Sequence, residues 1–393
     1  MSAMSPATTT LKPCELLGLP AEDLCALMAS LGEPAYRGRQ VYRALYAERR
    51  ASFDAITNLP LALREQLARD GCITWPRVIR AHESADGTVR YVLALDPALD
   101  AASPLGPAPG AFPQSSASRP ATVEAVFMPS AARQTICIST QAGCAVDCHF
   151  CLTATLGLTR NLTAGEVIGQ VLFALEENRN NLRPQTNVVL MGQGEPLLNY
   201  DPVMAALRIL LDPAALGLSP RHVTLSTSGI VPGIERMATE PVRPKLAISL
   251  NASGDEQRDA LMPINRKYPL GMLLDACRRY PLRTWERLTF EYVLLGGSND
   301  APEDARRLAR LLAGLRCKIN LIPWNPGELP YRAPQREAIE RFQSILAGKG
   351  FPVFVRLPRG QDVMAACGQL ALLESIQTAP TPDSLLGITR RTA

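Results

Sequence analysis

The 393-residue chain has no run of 18 or more apolar residues, the length a helix needs to cross a bilayer. Its first residues, MSAMSPATTTLKPCELL, lack the basic segment and apolar stretch of an export signal. A cytoplasmic protein with no membrane partner is therefore expected. Cysteine is also sparse, with ten unevenly placed residues that cannot form the disulfide framework of a secreted domain. In a reducing compartment such cysteines serve metal or redox chemistry. Strong charge of one sign is missing too. A net charge of +4 permits a nucleic-acid partner without demanding one.

What is present is a 47% hydrophobic composition, enough for a large core, and a length that suits two or three domains. Four of the ten cysteines crowd into TICISTQAGCAVDCHFC, at Cys137, Cys144, Cys148 and Cys151. The last three form a C-x-x-x-C-x-x-C run, which sparse cysteines produce by chance in under about one chain in a hundred. Three thiolates on one loop can hold an iron–sulfur cluster or contribute to a zinc site. A structural zinc takes four ligands, and three are evident. A four-iron cluster on three cysteines leaves one iron open for an exogenous ligand, a catalytic arrangement. Cys14, Cys25, Cys72, Cys277 and Cys317 read as core thiols.

Along the chain, residues 11–70 alternate amphipathic segments with Gly/Pro punctuation and predict a small helical domain over 1–72. Within it, residues 36–46 interleave arginine with tyrosine, which suits phosphate contact and base stacking, or equally a core helix with a solvated basic face. Residues 73–130 read as a linker, with a β-hairpin turning at Asp86-Gly87. Its segment 97–120, rich in Pro, Ala, Ser and Gly, reads as a disordered insertion. Six strand-like runs follow, at 135–139, 187–192, 222–228, 245–251, 287–295 and 318–324, separated by amphipathic helical segments. This alternation predicts an α/β fold, a partial (β/α)6 barrel over 131–376, followed by a disordered tail at 377–393. In such a barrel, function collects beyond the strand C-termini. Gly192-Gln193-Gly194-Glu195-Pro196, Ser226-Thr227-Ser228-Gly229, Ser249-Leu250-Asn251 and Pro323-Trp324-Asn325-Pro326 all fall there, as does the cysteine loop. Each alone is an ordinary turn or cap, and their joint placement makes them site candidates. Cys367 lies in a small-residue setting near Arg356 and Arg359, and Glu124 alternates with apolar neighbours on a strand.

GCAVDCHFC, MGQGEPLLN, VTLSTSG, LAISLN, INLIPWNP and AACGQLA, in this order and spacing, resemble the radical S-adenosylmethionine RNA methyltransferases. The resemblance is to the members acting at C2 of adenine in 23S rRNA and tRNA, and runs from about residue 12 to 376 apart from the 97–120 insertion. It implies that Cys144, Cys148 and Cys151 hold a [4Fe-4S] cluster, and that two S-adenosyl-L-methionine molecules are used per turnover. Gly194, Glu195, Ser226, Ser249, Leu250, Asn251 and Asn325 match the family's positions for that cofactor. Cys367 would carry the methyl group, Cys137 would form a disulfide with Cys367 to release product, and Glu124 would accept a proton. The implied partners are 23S rRNA, tRNA and an electron donor such as flavodoxin or ferredoxin, for an enzyme acting as a monomer. The family's C8-specific relatives remain an alternative, as does a zinc-stabilised, non-catalytic RNA-binding protein.

Overall fold

The computed structural model describes residues 14–95, 121–326, 329–356 and 358–370. The expected insertion at 97–120 and the tail at 377–393 lie outside the described residues. The N-terminal segment holds three helices, Ala21–Ser30 (α1), Tyr36–Tyr46 (α2) and Leu61–Asp70 (α3), framed by the short strands Cys14–Glu15 (β1) and Gly71–Cys72 (β2). The hairpin follows as Arg77–Glu83 (β3) and Val89–Ala94 (β4), and its turn is closed by the Thr88 amide donating to Asp86 Oδ1 at 2.9 Å. Thr122–Pro129 (β5) pairs antiparallel with β4 and with Arg133–Ile138 (β6).

From β6 onward the chain alternates strand and helix. A small hairpin, Gln141–Gly143 (β7) and Leu158–Asn161 (β8), flanks the cysteine loop. Then come Ala164–Glu177 (α4), Gln185–Leu190 (β9), Tyr200–Leu211 (α5), Val223–Thr227 (β10), Val231–Ala238 (α6) and Lys245–Ser249 (β11). Asp255–Leu261 (α7), Leu270–Arg279 (α8), Leu288–Leu294 (β12), Pro302–Leu311 (α9), Cys317–Pro323 (β13), Arg336–Gly348 (α10) and Val353–Val355 (β14) complete it. The sheet order is β14-β13-β12-β11-β10-β9-β6-β5-β4-β3. All six expected strands run parallel within it, and β14 adds a seventh. Among the described residues β14 and β3 end the sheet without pairing to each other, so the barrel is open.

Strand periodicity sorts the side chains into two environments. Ile136, Ile138, Leu225, Ile248, Phe290 and Ile319 sit in the apolar core beneath the helices. Their alternating neighbours, including Cys137, Val189, Thr224, Glu291, Lys318 and Asn320, line the concave lumen. A lumen this rich in polar groups is poorly suited to serve as core and well suited to bind ligands.

The N-terminal helices share the barrel's core, since Leu24, Val41, Leu45 and Leu63 pack in the same apolar cluster as Val167 and Leu172. Gly18, at φ +98°, lies so close to the first turn of α4 that a Cβ would come within 2.4 Å of the Gly165 amide nitrogen. Helix α4 itself starts at a reciprocal cap, with the Glu166 amide donating to Thr163 Oγ1 and the Thr163 amide to Glu166 Oε2. The Tyr/Arg segment divides. Tyr42 donates to Asp212 Oδ2 at 2.8 Å, and Tyr46 accepts from the Gly18 amide and donates to the Leu19 carbonyl, so both are core residues. Tyr36, with the Arg37 guanidinium over its ring, faces outward with Arg39 and Arg43. Among the described residues no helix is long and apolar enough to cross a membrane.

Candidate active site

The cysteine loop leaves the C-terminal end of β6 and is fixed by backbone bonds. The Cys144 amide donates to the Gly157 carbonyl, the Cys151 amide to the Cys148 carbonyl, and the His149 amide to the Leu261 carbonyl. The Trp324 indole, just past β13, donates to the Phe150 carbonyl at 3.1 Å. Cys144, Cys148 and Cys151 thereby line one cavity of about 170 Å³ together with Gly194, Glu195, Ser226, Ser249, Asn251 and Asn325. Leu250 is absent from that lining. Its side chain is in the core, and its carbonyl accepts from Arg258.

Burial pushes the Cys144 thiol up to about 12 and raises those of Cys148 and Cys151, with the neighbouring sulfurs adding to the rise at Cys148. Thiolates held this deep are costly until a cation shares their charge, which is what metal ligation supplies. Four thiolates on one zinc, at ~2.3 Å per bond, would bring sulfurs within about 4 Å of each other. Three cysteines around one cavity are the donor set that an iron–sulfur cluster takes.

The polar groups around the cavity are already arranged. Glu195, fully enclosed and with its carboxyl pKa raised by burial, accepts from the Ser228 amide at 2.7 Å, the Ser228 hydroxyl at 2.8 Å and the Leu197 amide at 3.0 Å. Gly194, at φ +95°, approaches Gln141 so closely that a Cβ would lie 2.7 Å from its amide nitrogen. Asn251 adopts φ 58°, a left-handed conformation that asparagine tolerates. Its Oδ1 accepts from the Val293 amide at 2.9 Å. Behind these groups sits Arg258, which no motif in the sequence singles out. Fully buried, it donates to the carbonyls of Ser228 (2.5 Å), Leu250 (3.1 Å) and Ser249 (3.3 Å), and to Asn265 Oδ1 (3.0 Å). One guanidinium thus braces the loops after β10 and β11.

A second cavity, about 380 Å³, continues down the lumen and meets the first at Met191, Glu291, Ile322, Asn325 and Cys367. Cys367 therefore opens onto both. Burial, and next the Glu291 carboxylate, push its thiol up to about 11. Its segment is clipped on one side by the Leu152 amide to the Gly368 carbonyl and Thr153 Oγ1 to the Leu370 carbonyl. On the other side Asp362 accepts from Ser84 and the Ala85 amide, and Arg359 reaches Asp86, at the β3–β4 turn. Cys137 also lines the lumen, its thiol raised by burial and then by Cys367. Both are free thiols, and no disulfide joins them in this structure.

Glu124 departs from its expected setting. Its carboxylate is paired with the buried Arg90 guanidinium and accepts from Gln193 Nε2 at 3.2 Å, and it lines neither cavity. Glu291, unnoticed in the sequence, is the carboxylate that lines both. Burial raises its pKa, opposed by a 3.0 Å hydrogen bond from Ser226.

A loop of three cysteines at the C-terminal edge of parallel strands, facing a polar cavity, defines the radical S-adenosylmethionine class. Residues 138–311 match the model of the Radical SAM superfamily, and residues 14–73 match that of the ribosomal RNA large subunit methyltransferase N-terminal domain. Proteins named "Dual-specificity RNA methyltransferase RlmN" are similar along nearly their whole length. One from Anaeromyxobacter dehalogenans is 47% identical over 366 residues, covering 91% of each chain. One from Anaeromyxobacter sp. strain Fw109-5 is 48% identical, covering 91% of this chain and 90% of that protein. The crystal structure of a radical SAM methyltransferase from Sphaerobacter thermophilus superposes with a TM-score of 0.82 at 42% identity, covering 91% of this chain and 99% of that one. The chain belongs to the RlmN family of radical SAM RNA methyltransferases.

Proposed function

We propose that this protein methylates C2 of adenine in 23S rRNA and in tRNA within a reducing cytoplasm. The observation that carries this reading is the position of Cys367, which opens on the cofactor cavity and on the lumen at once. C2 of adenine is an amidine-like carbon too poor in electrons to attack a sulfonium methyl directly. A cluster on Cys144, Cys148 and Cys151 supplies, when bound, the one-electron reduction of S-adenosylmethionine that gives access to carbon-radical chemistry. The chain's own groups do the rest. Glu195, Ser226, Ser249, Asn251 and Asn325 hold the cofactor's amino-acid and ribose groups, and Gly194 and the Leu250 backbone shape their turns. Cys367 carries the methyl carbon from one cavity to the base in the other.

Cys137, facing the same lumen, releases the product. Its thiolate attacks the Cys367 sulfur, the sulfur–carbon electron pair passes to the nucleobase side and takes up a proton, and a transient Cys137–Cys367 disulfide forms. A two-electron reductant then restores both thiols, while flavodoxin or ferredoxin serves the cluster. Glu124, tied to Arg90, acts in proton transfer through Gln193 and not by direct contact with the lumen.

The test is anaerobic reconstitution, metal analysis, and mass spectrometry of digested 23S rRNA and tRNA after turnover. About four irons per chain and 2-methyladenosine in both RNAs are expected. Methylation at C8 alone, or one zinc with no iron, would overturn the reading. In Cys137→Ala, a protein–RNA adduct through Cys367 should accumulate.

A further inference from the structure

We propose that the strand-N-terminal half of the lumen is a phosphate cradle for the backbone of the RNA nucleotide being modified, which rests on RNA as the substrate. Arg133 at the start of β6, Lys245 at the start of β11 and Lys318 near the start of β13 line this half, and Arg356, just past β14, lines the same cavity closer to the level of Glu291. The His222 imidazole, before β10, joins them. Among the described residues none of the four cations has a carboxylate within the 4.0 Å of an ion pair. Glu291 is the one carboxylate in this lining, and it is engaged by Ser226.

Like charges gathered in a cavity repel one another, and the single carboxylate of Glu291 offsets only part of that repulsion. Burial and the cations Lys318, Arg356 and Arg133 together hold the Lys245 ammonium down to about 8, against the opposing pull of Glu286. A solvated basic rim would account for the exposed Arg133 and Arg356. It does not account for Lys245 and Lys318, which are half-buried and turned inward. An anion seated among them would relieve the repulsion.

The spacing identifies that anion. Glu291 stands in register with Ser249 and Asn320, while Lys245 lies four residues before Ser249 and Lys318 two before Asn320. Arg133 lies four residues before Cys137. At about 3.3 Å per residue Lys245 and Lys318 therefore sit roughly 7–13 Å back along their strands from the neighbours of Glu291, and Arg133 roughly 13 Å back along β6 from Cys137. That is the span from the edge of a nucleobase to its own phosphates. Val189, Met191 and Ile322 add apolar lining to the same cavity, as an unstacked base requires. Phosphate contacts there position the nucleotide without reading its sequence.

The test measures binding of a fluorescently labelled RNA hairpin, carrying an unpaired adenosine in its loop, to reconstituted holoenzyme across a potassium chloride series. Lys245→Gln/Lys318→Gln should weaken the hairpin about tenfold and reduce the slope of log K against log salt by about 1.4, at ~0.7 per single-strand phosphate contact. Arg133→Gln/Arg356→Gln, which touches no buried group, should do the same. KM for RNA should rise with kcat little changed, the signature of lost uniform binding. Arg341→Gln, exposed on α10, should change nothing. Unchanged affinity and slope in both double variants, with wild type binding normally, would overturn the cradle and leave the methyltransferase reading intact. Failure of wild type to bind the hairpin at all would overturn both.

Discussion

At the strand-C-terminal end of the lumen the charged groups are met by partners: Glu195 by two amides and a hydroxyl, Arg258 by three carbonyls and an amide oxygen. At the opposite end Arg133, Lys245 and Lys318 line an open cavity, with no ion-pair carboxylate among the described residues. The first arrangement is a preorganised holder whose shape exists before any ligand arrives. The second is a field awaiting its counter-charge. Buried polar groups that satisfy one another lend stability, and like charges that do not are kept at its expense, so the contrast separates residues serving the fold from residues serving a ligand.

Three measurements bear on that contrast. Arg258→Ala should strike hardest, because it strands the carbonyls of Ser228, Ser249 and Leu250 inside the protein. A loss of about 3 kcal/mol or more in urea denaturation is expected, with weaker S-adenosylmethionine binding. A loss under about 1 kcal/mol would show that the upper half is not braced as described. The double change Lys245→Gln/Lys318→Gln should have the opposite sign, leaving stability unchanged or raised by up to about 1 kcal/mol at low salt. A clear destabilisation would make these lysines structural and erase the distinction.

The smallest effect concerns pH. Lys245 falls from the ordinary 10.5 to about 8 in the folded protein, with burial, Lys318, Arg356 and Arg133 lowering it and Glu286 opposing. The unfolded chain therefore holds more protons between about pH 8 and 10.5, so this residue's contribution to stability rises with pH across that window. Below pH 8 both states are protonated and the penalty is present in full. RNA affinity should run the other way, falling a few-fold as pH passes 8 and the charge is lost. Lys245→Arg should flatten that fall in a binding titration. A fall of the same size in the variant would assign it to another group.

Much of this was legible in the sequence. Parallel strands at 187–192, 245–251 and 318–324 announce themselves as short apolar runs, and the cysteine spacing is too rare to be incidental. The helices α6 and α7, of eight and seven residues, are too short to show a clear period in the sequence. Glu291 sits inside LTFEYVL, where a strand carboxylate looks unremarkable until pairing with β11 and β13 turns it toward the two cavities. Arg258 reads as a solvent-facing helix arginine, and its burial follows from where α7 docks. The lumen cations are spread over more than two hundred residues of sequence, from Arg133 to Arg356. Only the curl of the sheet makes them neighbours. Conversely Tyr42 and Tyr46 suggested base stacking through composition alone, and packing gave them to the core.

The clips on the Cys367 segment carry a consequence for hydrogen exchange. On the cysteine-loop side they include the Leu152 amide, and on the hairpin side the amides of Ala85 and Gly360. The Cys367 sulfur thus rides on a strap fastened at two ends by different chemistry, backbone carbonyls at one and aspartate carboxylates at the other. Salt weakens carboxylate contacts while scarcely touching carbonyl ones. Deuterium uptake at Ala85 and Gly360 should accelerate together as ionic strength rises, with Leu152 lagging behind, so the strap peels from the hairpin while its grip on the cysteine loop persists.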